Sequence, residues 1–157
     1  KTNKIYNMPQ SLSLVYTHIV FSTKNRVKLI YEPIQHRLFE YLGGVCKGLE
    51  CNPLKVGDYL DHVHILCTLS RKITQAKLLE EIKKESSKWI KTIDSKYQNF
   101  YWQNGYGIFS VNPSEIDKVV KYIRNQEEHH KKRTFQDEYM AFLKEYNIEY
   151  DERYVWD

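Results

Sequence analysis

The chain has 157 residues, 41% of them hydrophobic, with a formal net charge of +4 and an isoelectric point near 8.8. That length fits one globular domain with its own core, and the mild basicity permits a polyanionic partner without requiring one. Three cysteines (Cys46, Cys51 and Cys67) with no Cys-x-x-Cys pair argue against a disulfide framework or a structural zinc site. No apolar run is long enough to cross a bilayer and no signal peptide is visible, so the expected location is a reducing cytoplasm.

Residues 1–7 are polar and precede Met8; they are expected to be a cloning remnant or a short disordered arm, with residues 8–157 forming the single domain. Leu12 to Thr23 reads as the first strand, rich in β-branched and aromatic residues in alternation. The basic turn Lys24-Asn25-Arg26 follows, at a strand end where a solvated loop and a phosphate contact are both natural. Glu32-Pro33 opens a helix in which Ile34, Leu38, Tyr41, Leu42 and Val45 recur at helical spacing, and Gly48 marks its stop. Leu54 to Tyr59 reads as the second strand.

The next stretch, Leu60-Asp61-His62-Val63-His64-Ile65-Leu66-Cys67, reads as a third strand, paired with the second in a hairpin. Side chains two apart on a strand share a face, so His62 and His64 project together while Val63 and Ile65 enter the core. Two adjacent imidazoles form half of a divalent-metal site. The pattern alone is weak, because His-x-His also arises on ordinary half-exposed strands. Asp61 is either a partner that orients a histidine or merely a strand-entry residue.

Thr74 to Ile93 reads as a second long helix, buried through Ile73, Leu78, Leu79, Ile82, Trp89 and Ile90. Arg71 to Lys96 carries eight Lys/Arg against four Asp/Glu, a solvated face or a phosphate-tracking surface. An aromatic, glycine-punctuated loop, Phe100 to Gly107, leads to a short strand at Ile108 to Val111. The order strand–helix–strand–strand–helix–strand predicts an α+β, ferredoxin-like or RNA-recognition-like antiparallel sheet with helices on one face and the other face free for a site.

Ser114 to Lys131 reads as one helix with an apolar stripe of Ile116, Val119, Val120 and Ile123. Tyr122 and Gln126, four apart, stack on one side of it at the stripe's edge. A tyrosine phenol can attack a phosphodiester when a metal polarises the phosphate, and two imidazoles with one amide oxygen leave coordination positions open. Lys121 to Arg133 holds five Lys/Arg and two Glu, with phosphate contacts and helix-dipole complementation as competing roles. Phe135 to Tyr146 reads as a terminal amphipathic helix, and the tail with Tyr150, Tyr154 and Trp156 is aromatic enough to dock on protein.

His62-Val63-His64, followed by Tyr122-Ile123-Arg124-Asn125-Gln126 on a helix, resembles the single-tyrosine HUH transposases of the insertion sequence 200/605 family, the IS200-like transposases. The likeness runs from Met8 through Phe21-Ser22-Thr23-Lys24-Asn25-Arg26, the Asp61-His62-Val63-His64 strand, the Gly105-Tyr106-Gly107 loop and the run Asn125 to His130. The resemblance implies that His62, His64 and Gln126 bind Mg²⁺ or Mn²⁺. It implies that Tyr122 attacks single-stranded DNA to leave a 5′-phosphotyrosine and a free 3′-OH, and that strands are rejoined without ATP. It also implies recognition of DNA hairpins at element ends, in a bacterial or archaeal cell, by a homodimer whose tyrosine acts in cis or in trans. Lys24, Arg26, Arg124, Lys131, Lys132 and Arg133 are the expected DNA contacts, with His129 and His130 facing DNA or solvent. The alternatives are another HUH endonuclease (a replication initiator, a relaxase or a domesticated repeat-associated transposase) and a non-catalytic single-stranded nucleic-acid binder. A histidine-based nucleotide hydrolase would need another histidine at position 66, which is Leu66.

Overall fold

A computed structural model describes residues 11–157; the expectation for residues 1–7 lies outside the described residues. Four strands, β1 (Tyr16–Ser22), β2 (Pro53–Tyr59), β3 (His62–Thr68) and β4 (Gly107–Val111), form one antiparallel sheet in the order β2-β3-β1-β4. With helices α1 (Ile34–Gly48) and α2 (Gln75–Lys91) between the strands, this is the α+β, ferredoxin-like arrangement that the element order predicts. Alternation along β1 and β3 sends Ile19, Phe21, Val63, Ile65 and Cys67 into one core with Leu38, Leu42, Leu78 and Ile82 of α1 and α2. Thr74 caps α2 by accepting from the Lys77 amide at 3.1 Å.

The opposite face is not free. Helices α3 (Ile116–Arg124), α4 (Gln126–His130) and α5 (Phe135–Glu145) cover it. Ile123 packs on Leu66 and Val111, while Phe135, Tyr139 and Leu143 pack with Val20 and Phe109. The central strands are therefore buried on both faces, and every residue from His62 to Cys67 is shielded from solvent. The terminal helix covers its own sheet. Of the tail, Trp156 packs 5.8 Å from Tyr139 between ring centroids, whereas Tyr150 and Tyr154 stay exposed.

The single helix expected over 114–131 is divided. Asn112 accepts from the Ser114 amide at 3.0 Å and starts a short turn at Pro113–Glu115, after which α3 runs to Arg124. Asn125, at φ −95° and ψ 22°, breaks the helix before α4 begins. Asparagine competes for backbone hydrogen bonds and favours such junctions. A capping box then starts α5: Thr134 Oγ1 accepts from the Asp137 amide at 3.1 Å, and Asp137 Oδ2 accepts from the Thr134 amide at 3.4 Å. Among the described residues, no helix is long and apolar enough to cross a membrane.

Candidate metal centre and nucleophile

The register of β1 against β3 pairs Val20 with His64 and Ser22 with His62, which fixes the two histidines on the face beneath α3, α4 and α5. Each ring is anchored through its Nδ1. His62 Nδ1 donates to Asp61 Oδ1 at 2.6 Å, and His64 Nδ1 lies 2.8 Å from His18 Nε2. Both Nε2 atoms are thereby turned inward, the arrangement that orients imidazole ligands in metal sites. Of the two roles open to Asp61, the structure shows the histidine-orienting contact. His18, which the sequence pattern does not single out, holds the second ring.

The inward nitrogens meet Glu138 from α5. Its Oε1 is 2.9 Å from His64 Nε2 and 3.5 Å from His62 Nε2, and its Oε2 is 3.3 Å from His130 Nε2. The Tyr122 hydroxyl donates to the same Oε2. Gln126 Nε2 donates to the Tyr122 carbonyl oxygen at 3.3 Å, which turns Gln126 Oε1 inward to 3.1 Å from both His62 Nε2 and His130 Nε2. One chain thus brings His62, His64, Gln126 and Tyr122 around a single point.

Two residues of this cluster stand apart from the sequence-based expectation. His130 is not solvated: its side chain is 2% exposed and stacks on Tyr59 with centroids 4.9 Å apart, and it lines a cleft with Lys131, Lys132 and Arg133. Glu138 was not anticipated at all. A signal was available, because Phe135, Glu138, Tyr139 and Phe142 follow helical spacing and place one carboxylate inside an apolar stripe.

Burial would lower His62, but its bond to Asp61 and the Glu138 carboxylate outweigh that and hold it up at about 9. Burial wins at His64 and at His18, both of which are held below the ordinary imidazole value. Glu138 is buried, yet the imidazoles of His64, His130 and His62 keep it well below the usual carboxylate range. Burial and the Glu138 charge push the Tyr122 phenol well above its usual value. One donor atom each from His62, His64 and Glu138 lie within 4.8 Å of one another, so two nitrogens and a carboxylate oxygen are gathered as a divalent cation requires.

Clefts reach this centre from several sides. One of about 640 Å³ runs along Arg26, Lys28, Lys131, Lys132 and Arg133 to Asp61 and His130. Arg26 there is already engaged, donating to the Trp156 carbonyl oxygen at 3.2 Å. Arg124 lies instead in a neighbouring cleft with Lys55 and Gln126, and the Lys24 ammonium sits 5.9 Å from the Tyr101 ring centroid. A third cleft, of about 570 Å³, is lined by Tyr122, His18, Asn112, Lys118 and Phe142.

Comparison with known families decides the assignment. The model of the family described as "Transposase IS200 like" matches residues 11–126, about three quarters of the chain. The chain belongs to the IS200-like transposase family. Two solved structures share the fold of this transposase at 16% identity. A candidate transposase from Deinococcus radiodurans aligns with a TM-score of 0.59 over 80% of this chain and 97% of its own. A REP-associated tyrosine transposase, solved bound to a REP hairpin, aligns with a TM-score of 0.58 over 80% of this chain and 74% of its own. No curated protein matches the chain.

Proposed function

We propose that this transposase cleaves and rejoins single-stranded DNA by attack of the Tyr122 phenol on a phosphodiester, beside a divalent cation held by His62 and His64. The observation that carries the reading is the convergence, within one chain, of the Tyr122 hydroxyl and both inward Nε2 atoms on a single carboxylate. Glu138 Oε1 and Gln126 Oε1 are the oxygen donors available to complete the set. A bound Mg²⁺ or Mn²⁺ would supply Lewis-acid polarisation of the phosphate.

The chain's own residues supply the remainder. Asp61 and His18 hold the imidazoles in place, and Gln126 ties its amide to the backbone at Tyr122. The Lys131, Lys132 and Arg133 cleft offers cations that position a DNA backbone without reading its sequence. Attack by Tyr122 leaves a 5′-phosphotyrosine and a 3′-OH; the covalent link conserves the phosphodiester bond, so a 3′-OH can reverse the step. The hairpin on the REP-associated neighbour supports a hairpin-bearing single strand as the substrate here, and a DNA substrate supports a bacterial or archaeal cytoplasmic location.

The test is a denaturing gel of the protein with single-stranded hairpin DNA and Mn²⁺. Wild type forms a covalent adduct, Tyr122→Phe forms none while binding DNA within about threefold of wild type, and EDTA abolishes the adduct. Adducts persisting in Tyr122→Phe, or full activity in EDTA, overturn the reading.

A further inference from the structure

The eight Lys/Arg between Arg71 and Lys96 divide into two groups. Those toward the start of the stretch are largely spent on the protein itself. Lys77 pairs with Glu81 at 3.1 Å, Lys84 pairs with the same carboxylate at 2.9 Å, and Lys72 pairs with Glu50 at 3.1 Å. Lys83 Nζ donates to the carbonyl oxygens of Gln103, Asn104 and Gly105. The last acidic group, Asp94, accepts from the Lys96 amide at 3.0 Å. Among the described residues, Lys88, Lys91 and Lys96, at the end of α2 and just beyond it, make no ion pair, and neither does Lys24 of the basic turn.

Tyr101 stands among these free cations. It is 53% exposed, with the Lys91 ammonium 4.5 Å and the Lys24 ammonium 5.9 Å from its ring centroid. Its neighbours in the chain are core anchors. Phe100 and Trp102 are buried with ring centroids 4.8 Å apart, and Trp102 Nε1 donates to Ser86 Oγ at 2.9 Å. Tyr101 therefore faces outward from a fixed backbone, and a tyrosine so held loses little freedom when something stacks on it. The position is continuous with the proposed DNA path. The Lys24 amide donates to the Tyr101 carbonyl oxygen at 2.8 Å, and the Thr23 amide donates to the Asp61 carbonyl oxygen at 2.8 Å, beside His62. Asn25 and Arg26, the residues after Lys24, line the basic cleft that reaches Asp61 and His130. Unpaired cations around an open aromatic ring suit a strand whose bases are unpaired: phosphates take the ammonium groups and a base takes the ring. On the single-stranded DNA substrate proposed above, we infer that Tyr101, with Lys24 and Lys91, is a stacking platform for one base of the strand that flanks the hairpin. Stacking uses a π face that every base has, so the platform adds affinity and directs the strand without selecting its sequence.

The experiment measures binding of the full chain in EDTA, so that no strand is cut. Three probes are compared: a bare DNA hairpin, the same hairpin with single-stranded flanks of about ten nucleotides, and that probe with its flanks made duplex by complementary strands. Wild type is expected to bind the single-strand-flanked probe most tightly. Tyr101→Leu, which keeps apolar bulk and loses the π face, is expected to weaken that probe roughly 5–100-fold and to leave the other two within about twofold, with an unchanged melting temperature. Tyr101→Trp is expected to stay within about threefold of wild type on all three. Lys24→Gln and Lys91→Gln are each expected to lower the salt slope of the flanked probe by about 0.7. A 2-aminopurine base scanned through the flanks is expected to be quenched at one position by wild type and by Tyr101→Trp, and to stay bright there with Tyr101→Leu. Tyr101→Leu affinity within about twofold of wild type on the flanked probe, equal loss on all three probes, or quenching that survives in Tyr101→Leu overturns the platform. If wild type binds none of the probes, it is the single-stranded DNA reading that fails; a wild type that binds all three with one affinity removes only the platform.

Discussion

Among the described residues, Asp58 alone has buried side-chain oxygens with no hydrogen-bond partner. It sits on β2, facing Gln35 and Glu32 near the start of α1. Burial pushes its carboxyl up to about 9; Gln35, outside hydrogen-bonding geometry, offsets this only in part, and Glu32 adds to it. The sign of the consequence follows from linkage. Between about pH 4 and pH 9 the folded protein holds a proton that the unfolded chain has lost, so stability falls as pH rises through that window. Asp58→Asn is expected to gain about 2 kcal/mol at pH 8, roughly 4–8 °C in melting temperature, and almost nothing at pH 4.5. Parallel melting-temperature profiles of the two proteins across that range would show that Asp58 finds a partner in solution. The same scale shows why some of the centre was legible and some was not. Asp61 adjoins His62 in the chain, so its role could be posed from sequence. His18 lies 46 positions from His64 and becomes its neighbour only through the β1–β3 register.

At the level of elements, helical and strand periodicity placed most of the architecture. The strand pattern around His62 is robust because alternation determines which side chains share a face. The division of the late helix at Asn125 was hidden, since the apolar stripe of α3 ends at Ile123 and every position from Arg124 to Thr134 is polar and carries no periodic signal. Glu138 differs: its place inside the apolar stripe of α5 is readable, but its partner is not, because only the packing of α5 over the histidines brings them together. What seats α3 on the sheet is a close approach at Gly57 of β2. A Cβ there would lie 2.4 Å from Ile123 Cγ2 and 2.9 Å from the Ile123 carbonyl oxygen, a backbone atom that cannot swing aside. Gly57→Ala is therefore expected to destabilise the fold by about 1–3 kcal/mol and to displace Tyr122, one residue from the clash, slowing adduct formation more than it weakens hairpin binding. A variant with wild-type stability and cleavage rate would mean that α3 is not held by this contact.

On the scale of the molecule, the same sheet carries two different burdens. One face is an apolar core closed by α1 and α2; the other holds a polar centre flanked by two smaller apolar clusters under α3 and α5. The expectation of an open second face overlooked that a ferredoxin-like sheet followed by more helical sequence must bury the apolar faces of those helices somewhere. Because they fold back on their own sheet, Tyr122 reaches the imidazoles of its own chain, 5.8 Å from His64 between ring centroids. The family resemblance leaves cis and trans attack open; the chain by itself has the arrangement that cis attack would use. In that arrangement dimerisation would bring two complete sites together rather than complete divided ones. Mixing separately purified His64→Ala and Tyr122→Phe proteins distinguishes the two arrangements. Each variant alone is expected to lose adduct formation by at least about 10²-fold. In a cis enzyme the mixture stays equally inactive at every ratio, because no chain carries both an intact imidazole pair and the nucleophile. In a trans enzyme the intact tyrosine of one chain meets the intact histidines of the other, and adduct returns on the His64→Ala chain alone. Tagging the two chains to different sizes makes that outcome readable on one gel, and its appearance would overturn the cis arrangement while leaving the chemistry of the centre in place.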